Sequence, residues 1–443
     1  MVFNISIDGP IGKLTPQSWL MAPETKSVIA ALTSEGAEVR FIGGCVRDSL
    51  LKLSAKEKNY RSDLKKQDID IATPESPETV ARLLKSAGIK FYDTAKKYGT
   101  ISALIKGTKF EITTLRRDVK TDGRHASVVY TNDWIIDAKR RDFTFNALSV
   151  TPEGDLYDSF DGLNDLSCGQ VRFIGVADER LSEDILRLLR FFRFFGLYGQ
   201  PPADKNALEA CKRHSKNLSR LSGERIWNEM SKILLTPKYG DVADLMNITG
   251  VYRNILPEAK NIKRLQMMQW LETNCYGKVK IKPDAVLRLA ALIETNQRGA
   301  VNLSKRWKLS NCESSRLVTM VVPELSINPE INAIDLKRSL YKHGSKIISD
   351  LTILAWSEEL TNITQPKNIR TEGWLNILEK CEKWRDIQFP LNGDDVIALG
   401  IKEGPNIGKL LNRVRKIWEK EGYIDGRKSC LKHLDSIAKD LYT

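Results

Sequence analysis

The pattern of hydrophobic and polar positions divides the 443-residue chain into an alternating N-terminal part and a helical remainder. Residues 24 to 37 carry a helical period that ends near Gly36. The run Val39-Arg40-Phe41-Ile42 then leads as a strand into Gly43-Gly44, and a helix-like segment follows from Cys45 to Leu51 with Arg47 one turn in. Next, Asp68-Ile69-Asp70-Ile71-Ala72 alternates acid with apolar. Residues two apart in a strand face the same way, so Asp68 and Asp70 share one face while Ile69 and Ile71 bury on the other. Residues 75 to 87 predict a helix. Residues 90 to 93, 100 to 106 and 109 to 115 alternate as strands, the last setting Glu111 between Phe110 and Ile112. This order predicts a mixed sheet flanked by helices.

Some stretches break the pattern. Residues 54 to 67 are dense in Lys, Arg, Asn and Ser and read as a solvated surface excursion. Residues 116 to 131 are polar and lack a strong period, which predicts a mobile loop in which His125 orders the chain rather than serving as a base. Leu156 to Leu166 reads as a turn-rich bridge and Val171 to Gly175 as a short strand. From Ser182 the pattern is helical to the end. In Glu183 to Arg193, the residues Asp184, Arg187, Arg190 and Arg193 recur at every third position, which predicts one carboxylate and a row of guanidinium groups along a single helix face.

Composition narrows the class. With 42% hydrophobic residues the chain can bury large cores and is expected to form several domains. No apolar run approaches the roughly 18 to 20 residues that span a bilayer, and residues 1 to 20 lack the features of a signal peptide, so no membrane association and a cytoplasmic address are expected. Seven cysteines, odd in number and without a Cys-x-x-Cys pair, argue against a disulfide scaffold and a zinc site. The 69 Lys and Arg outnumber the 56 Asp and Glu, and the formal charge of +13 suits a protein that meets a polyanion, be it RNA, DNA or anionic lipid. No segment marks a protein partner.

Candidate chemistry follows from the same stretches. Paired carboxylates such as Asp68 and Asp70, with Glu111 as a candidate third, suit Mg²⁺, a hard cation that takes oxygen ligands together with substrate phosphates. Gly43-Gly44 lets the backbone approach a phosphate chain at a helix start, and Arg47 adds a cation. Arg140 and Arg141 beside Asp142, directly before Phe143-Thr144-Phe145-Asn146, are suited to gripping a triphosphate and ribose. Asp184 accepts from the exocyclic amine of cytosine or adenine while Arg187 donates beside it, a pattern that uracil and guanine do not match.

Taken together, Gly43-Gly44-Cys-Val-Arg47-Asp48, Asp68-Ile-Asp70, Asp122-Gly-Arg-His125, Arg140-Arg141-Asp-Phe-Thr-Phe-Asn146-Ala, Glu183-Asp184-Ile-Leu-Arg187 and Ser222-Gly-Glu224-Arg225-Ile226 resemble the class II tRNA nucleotidyltransferases, the CCA-adding enzymes. The resemblance runs from about residue 24 to 235 and resumes more weakly at Phe389 to Leu411. It implies an α+β chain: a polymerase β-like nucleotidyltransferase head of mixed sheet and helices over residues 1–150, then an all-α neck over 151–235 that recognises the base, a body over 236–385 and a tRNA-binding tail over 386–443. It also implies that Asp68 and Asp70 hold Mg²⁺ with Glu111 in the catalytic set. By the same likeness Gly44, Arg47 and Arg141 contact the nucleotide's phosphates and ribose, Asp184 and Arg187 select the base, and Arg190 and Arg193 are further nucleotide-side positions. The implied reaction adds the 3′-terminal CCA, or part of it, to tRNA from CTP and ATP without a nucleic-acid template, releasing pyrophosphate. A CC- or A-adding relative, a bacterial poly(A) polymerase and a non-catalytic tRNA-binding protein are the alternatives. The excursion before Asp68 is longer than the family's usual spacing, and the absence of a His-Asp pair matches members without a phosphohydrolase domain.

Overall fold

Alternation along the N-terminal segments folds into an eight-stranded mixed sheet and a separate two-stranded ribbon. In chain order the strands are β1 Gly12–Lys13, β2 Arg40–Ile42, β3 Ile69–Thr73, β4 Phe91–Tyr92, β5 Thr100–Ile105, β6 Thr108–Thr114, β7 Arg116–Thr121, β8 Ala126–Tyr130, β9 Ser149–Val150 and β10 Asp155–Tyr157. The sheet runs β1-β10-β9-β2-β3-β6-β5-β4, and β7 pairs with β8 in the ribbon. This computed structural model describes residues 9–51, 69–93, 99–121, 126–274, 279–362, 370–385, 387–402, 404–423 and 426–442. Asp68, the excursion at 54–67 and the Asp122-to-His125 segment therefore lie outside the described residues. The chain divides into two compact units, residues 1–260 with 305–309, and residues 261–304 with 310–443.

Register decides which side chains meet. Ile71 pairs with Phe41 on β2 and Ile112 on β6, and Ile112 pairs with Ile101 on β5. All of these are at most 1% exposed, a continuous apolar row across the sheet. Burying each such side chain is worth about 1.5–3 kcal/mol, and a one-residue slip would turn the whole row to the other face. The hairpin between β5 and β6 turns at Lys106 and Gly107, both at positive φ, in keeping with the tight turns that suit strand twist. The helix Pro77–Ser86, capped by Ser76 and buried through Val80, Leu83 and Leu84, packs against Pro23–Thr33 and against the sheet.

Three expectations change. Residues 116–131 are not an irregular loop: their described parts form the β7–β8 ladder, whose register shifts between Asp118 and Lys120. Consecutive apolar residues such as Val128 and Val129 fall on opposite faces of the ribbon, so the sequence gives no alternation to read. Asp155–Tyr157, where a turn-rich bridge was expected from Leu156, is a strand within the sheet, pairing with β1 and β9. Phe173, expected in a short strand, makes one isolated bridge, to Phe143.

After the sheet the first unit is helical. The helix Leu186–Tyr198 buries Leu188, Leu189, Phe191, Phe192, Phe194 and Phe195. Phe194 meets Phe143 edge-on at 5.3 Å and Phe145 at 5.5 Å, so the Arg140-to-Asn146 segment is bound to this helix by aromatic packing. The elements of the second unit are all helices among its described residues. Its last part closes over Leu391, Val396, Leu410, Val414, Trp418, Tyr423, Cys430 and Leu434. No described helix is long and apolar enough to cross a membrane.

Candidate active site

One residue from the apolar row, the opposite face of the sheet carries the polar chemistry. Asp70 pairs with Ile42 on one side and with Glu111 on the other, and Glu111 pairs with Ser102. In-register partners in adjacent strands point the same way, so Asp70 and Glu111 stand side by side. Ile69 and Ile71 are buried and Asp70 is partly exposed, as the alternation predicts. Glu111 keeps 38% of its side chain exposed and pairs with Lys109. Directly after Ile42 the chain turns at Gly43, with φ 71° and ψ −133°, into the helix Gly44–Leu50. A Cβ at Gly43 would lie 2.9 Å from Asp70 Oδ2, so both the backbone angle and the neighbouring carboxylate require glycine there. Cys45, in the first turn of that helix, donates from Sγ to the Ile42 carbonyl, and burial together with nearby Asp70 pushes its thiol up to about 12. It is an inert packing residue.

Arg47 does not reach openly into solvent. Its side chain is 10% exposed, with Nε donating to Asp48 Oδ1 at 2.9 Å and Nη1 to Asn146 Oδ1 at 2.8 Å, and it lies over the rings of Phe194 and Tyr198. Asn146 in turn donates from Nδ2 to Asp142 Oδ1 at 2.9 Å, and Asp142 Oδ2 accepts from Arg190 at 2.6 Å. A hydrogen-bonded chain thus runs from the Gly43-Gly44 helix through Asn146 and Asp142 to the helix Leu186–Tyr198. Burial works against the Asp142 charge, but Arg190, Asn146 and the Phe143 N–H hold its carboxyl below the usual carboxylate range. Arg193, two residues past Phe191, pairs with the buried Glu229 at 2.9 Å, and burial lowers its guanidinium pKa.

Arg140 and Arg141 converge on Asp137, which lies within the short helix Trp134–Lys139. Arg140 Nε donates to Asp137 Oδ1 at 2.8 Å and Arg141 Nη2 to Oδ2 at 2.9 Å. The helix itself is fixed by Trp134, whose ring stacks on the Arg40 guanidinium at 4.2 Å, with Tyr157 on that guanidinium at 3.7 Å.

The predicted single helix carrying Asp184 and Arg187 on one face is corrected. The helix Ala177–Glu183 ends before Asp184, which is extended at φ −148°, and the next helix begins at Leu186. The carboxylate of Asp184 accepts from the Leu186 N–H at 3.1 Å, so the acid competes with helix backbone for hydrogen bonds and interrupts the run. Asp184 also accepts from Arg225 Nη2 at 3.3 Å. Arg187 bonds elsewhere, to Glu183 Oε2 at 2.6 Å and to the Arg140 carbonyl at 2.9 Å. The two side chains thus come from neighbouring positions, each held by its own partner. Arg187, Arg190 and Arg193 do share the helix Leu186–Tyr198.

Sequence reasoning missed the partners that hold the arginines. Asp137 was within reach, since it precedes Arg140 and Arg141 by the three- and four-residue spacings of facing helix positions. Glu229 and Asn146 were not, because only tertiary packing brings them to Arg193 and Arg47. Among the described residues no group of three or more His, Cys, Asp or Glu side chains could hold a metal ion. Asp70 and Glu111 supply two adjacent carboxylates, a donor set that fits a hard divalent cation rather than a soft one.

A nucleotidyltransferase-type head is what this sheet, its acidic pair and its glycine turn define. The family described as "Poly A polymerase head domain" matches residues 39–172, and the one described as "Probable RNA and SrmB- binding site of polymerase A" matches residues 203–263. The chain is 34% identical to the mitochondrial CCA tRNA nucleotidyltransferase 1 of Mus musculus over 402 residues, covering 90% of this chain and 86% of that protein. It is 30% identical to a CCA-adding enzyme of Streptococcus agalactiae over 87% of this chain and 90% of the relative. The fold matches that of the Bacillus stearothermophilus CCA-adding enzyme in complex with CTP, with a TM-score of 0.68 at 23% identity over 95% of this chain and 99% of that one. It also matches the Thermotoga maritima CCA-adding enzyme complexed with tRNA, with a TM-score of 0.59 at 19% identity over 96% and 99%. The chain belongs to the CCA tRNA nucleotidyltransferase family.

Proposed function

We propose that this protein adds the 3′-terminal CCA, or part of it, to tRNA from CTP and ATP without a nucleic-acid template, releasing pyrophosphate. The observation that carries the reading is the in-register pair Asp70 and Glu111 beside the Gly43 turn, in a head tied by Arg47, Asn146 and Asp142 to a helix of arginines. The names of the relatives, and the CTP and tRNA held by solved enzymes of the same fold, support the substrates.

Asp70, with Asp68 preceding it, would hold Mg²⁺, and Glu111 stands beside that position. The ion would supply charge stabilisation for the attacking and leaving oxygens. The tRNA 3′-hydroxyl attacks the α-phosphate in line and pyrophosphate leaves, with positioning rather than side-chain proton transfer providing the rate. Gly44 and Arg141 face the triphosphate and ribose in this reading, and Asp184 with Arg187 reads the base edge. Arg47, bonded on both sides, holds Asn146 and the Gly44 helix in register. Arg190 and Arg193 serve the nucleotide side from the same helix. In the four-part division of the chain, the tail from about residue 386 meets the tRNA backbone with Lys409, Arg413, Lys416 and Lys420 on the helix Pro405–Lys420, a contact that weakens with salt.

The deciding experiment gives purified protein a tRNA lacking its 3′ end with CTP, ATP or both, and reads product lengths. Extension to CCA with both nucleotides, and to CC with CTP alone, is expected. Open-ended A tails would favour the poly(A) polymerase reading that the name of the head family raises, and no extension would remove the activity. A cytoplasmic address is part of the proposal. Vertebrate relatives are named mitochondrial, so cell fractionation decides it.

A further inference from the structure

Asp137 is 4% exposed and has no place in the chemistry described so far, yet its carboxylate is the meeting point of three elements. Arg140 donates to Oδ1 and Arg141 to Oδ2. The backbone N–H of Arg116, the first residue of the ribbon strand β7, donates to Oδ1 at 3.2 Å. A buried carboxylate normally resists ionisation, and here burial does push its pKa up, but Arg141 and Arg140 outweigh it and keep the carboxyl below the usual range. The side chains of Arg140 and Arg141 are 18% and 16% exposed, so neither is sealed from solvent. The carbonyl of Arg140 accepts from Arg187, so the position of Arg140 also bears on the helix Leu186–Tyr198.

We propose that Asp137 is a positioning residue that clamps Arg140 and Arg141 against the root of the β7–β8 ribbon, so that the Arg141 guanidinium is preset for the nucleotide's phosphates and ribose. This rests on the reading of Arg141 as a nucleotide contact. A long cationic side chain loses rotamer freedom on binding an anion, and a carboxylate that fixes it beforehand removes much of that cost. Asp137→Asn keeps the shape and an oxygen for the Arg116 N–H but removes the charge that orients both arginines.

The test is calorimetric titration of the full chain with CTP, without tRNA, for wild type, Asp137→Asn, Arg141→Ala and the double variant. Asp137→Asn is expected to weaken CTP about tenfold, by misplacement of a positioning group, and the double variant to bind no more weakly than Arg141→Ala, because the two act as one unit. Wild-type affinity in Asp137→Asn, or losses that add in the double variant, overturns the proposal. If Asp137→Asn does not fold, Asp137→Glu, which keeps the charge and moves it by one methylene, takes its place in the same cycle with a smaller expected loss. Extension of truncated tRNA by wild type is measured in parallel. Its absence would sink the proposed activity, whereas the CTP cycle judges Asp137 on its own.

Discussion

On the sheet, Asp70 and Glu111 stand side by side on a face that stays partly exposed. On the helix Leu186–Tyr198, by contrast, Arg187, Arg190 and Arg193 each lie against an acid supplied by the protein: Glu183, Asp142 and Glu229. The acidic pair sets two carboxylates side by side on one face, with Lys109 against Glu111, while each of these arginines has its own acid partner and is held in one geometry. The two regions should therefore fail differently. Loss of a sheet carboxylate should strike chemistry and spare the fold, whereas loss of a helix partner should strike the fold first and chemistry through it.

Asp70→Asn gives the largest effect. A metal ion at the transition state is worth several kcal/mol, and each ~1.4 kcal/mol is tenfold in rate, so nucleotide addition should fall by about three orders of magnitude. The thermal midpoint should hold, since Asp70 stands at a partly exposed position and Asn keeps its shape, and tRNA affinity in a filter-binding assay should stay near wild type. A large loss of stability would show that Asp70 belongs with the helix arginines as a structural group.

Asp142→Ala is the counterpart. Removing the buried carboxylate leaves the one-third-exposed Arg190 without its partner and Asn146 without its acceptor, which should cost about 1–3 kcal/mol of stability. Denaturant titration of both variants separates the regions: a drop for Asp142→Ala with none for Asp70→Asn sustains the comparison, and equal drops break it.

Acid titration sharpens the same contrast. The folded pKa values of Asp142 and Asp137 lie below the ordinary carboxylate value, so their contribution is fully present above about pH 4 and is lost as pH falls through the lowered folded values. The stability gap between wild type and Asp142→Asn should therefore be constant from pH 7 to about pH 5 and narrow below pH 4. A gap that widens on acidification would mean that the folded pKa of the carboxyl lies above its unfolded value.

Legibility in the sequence followed the same division. Period-two alternation located β3 and β6 and set Asp70 and Glu111 apart from the buried isoleucines beside them, but that the two acids are register partners on one face comes from the strand pairing. The ribbon β7–β8 was hidden because its apolar residues, Val128 next to Val129, do not alternate with polar ones. The break at Asp184 was hidden by a sound helical spacing: Asp184, Arg187 and Arg190 fit one face on paper, and only the bond from the Leu186 N–H to the Asp184 side chain shows the acid ending the run. The arginines were visible as residues, but their partners Asn146, Asp142 and Glu229 depend on how the aromatic residues from Phe143 to Tyr198 bring distant segments together.

The smallest expected effect concerns base choice, and it sits at the join between the two kinds of region. Asp184 is an acid on the arginine side, neither buried like Asp142 nor paired across strands like Asp70, with 28% of its side chain exposed and a long contact to Arg225. A carboxylate so placed retains acceptor capacity for an exocyclic amine, and Arg187, one turn on, has its own anchor in Glu183. A good bidentate base contact is worth about 1–3 kcal/mol of discrimination, so Asp184→Ala should relax selection of C and A over U and G by roughly ten- to a hundredfold. Its effect on the fold should be slight, since the lost bond to the Leu186 N–H leaves an amide near the helix start where water can replace it. Single-nucleotide incorporation with each of the four triphosphates, on a tRNA ending at the discriminator base and on one ending in CC, reads the outcome. Unchanged preference with weakened tRNA binding would make Asp184 an RNA contact, and a loss of stability as large as that of Asp142→Ala would make it one more clamp on an arginine, Arg225.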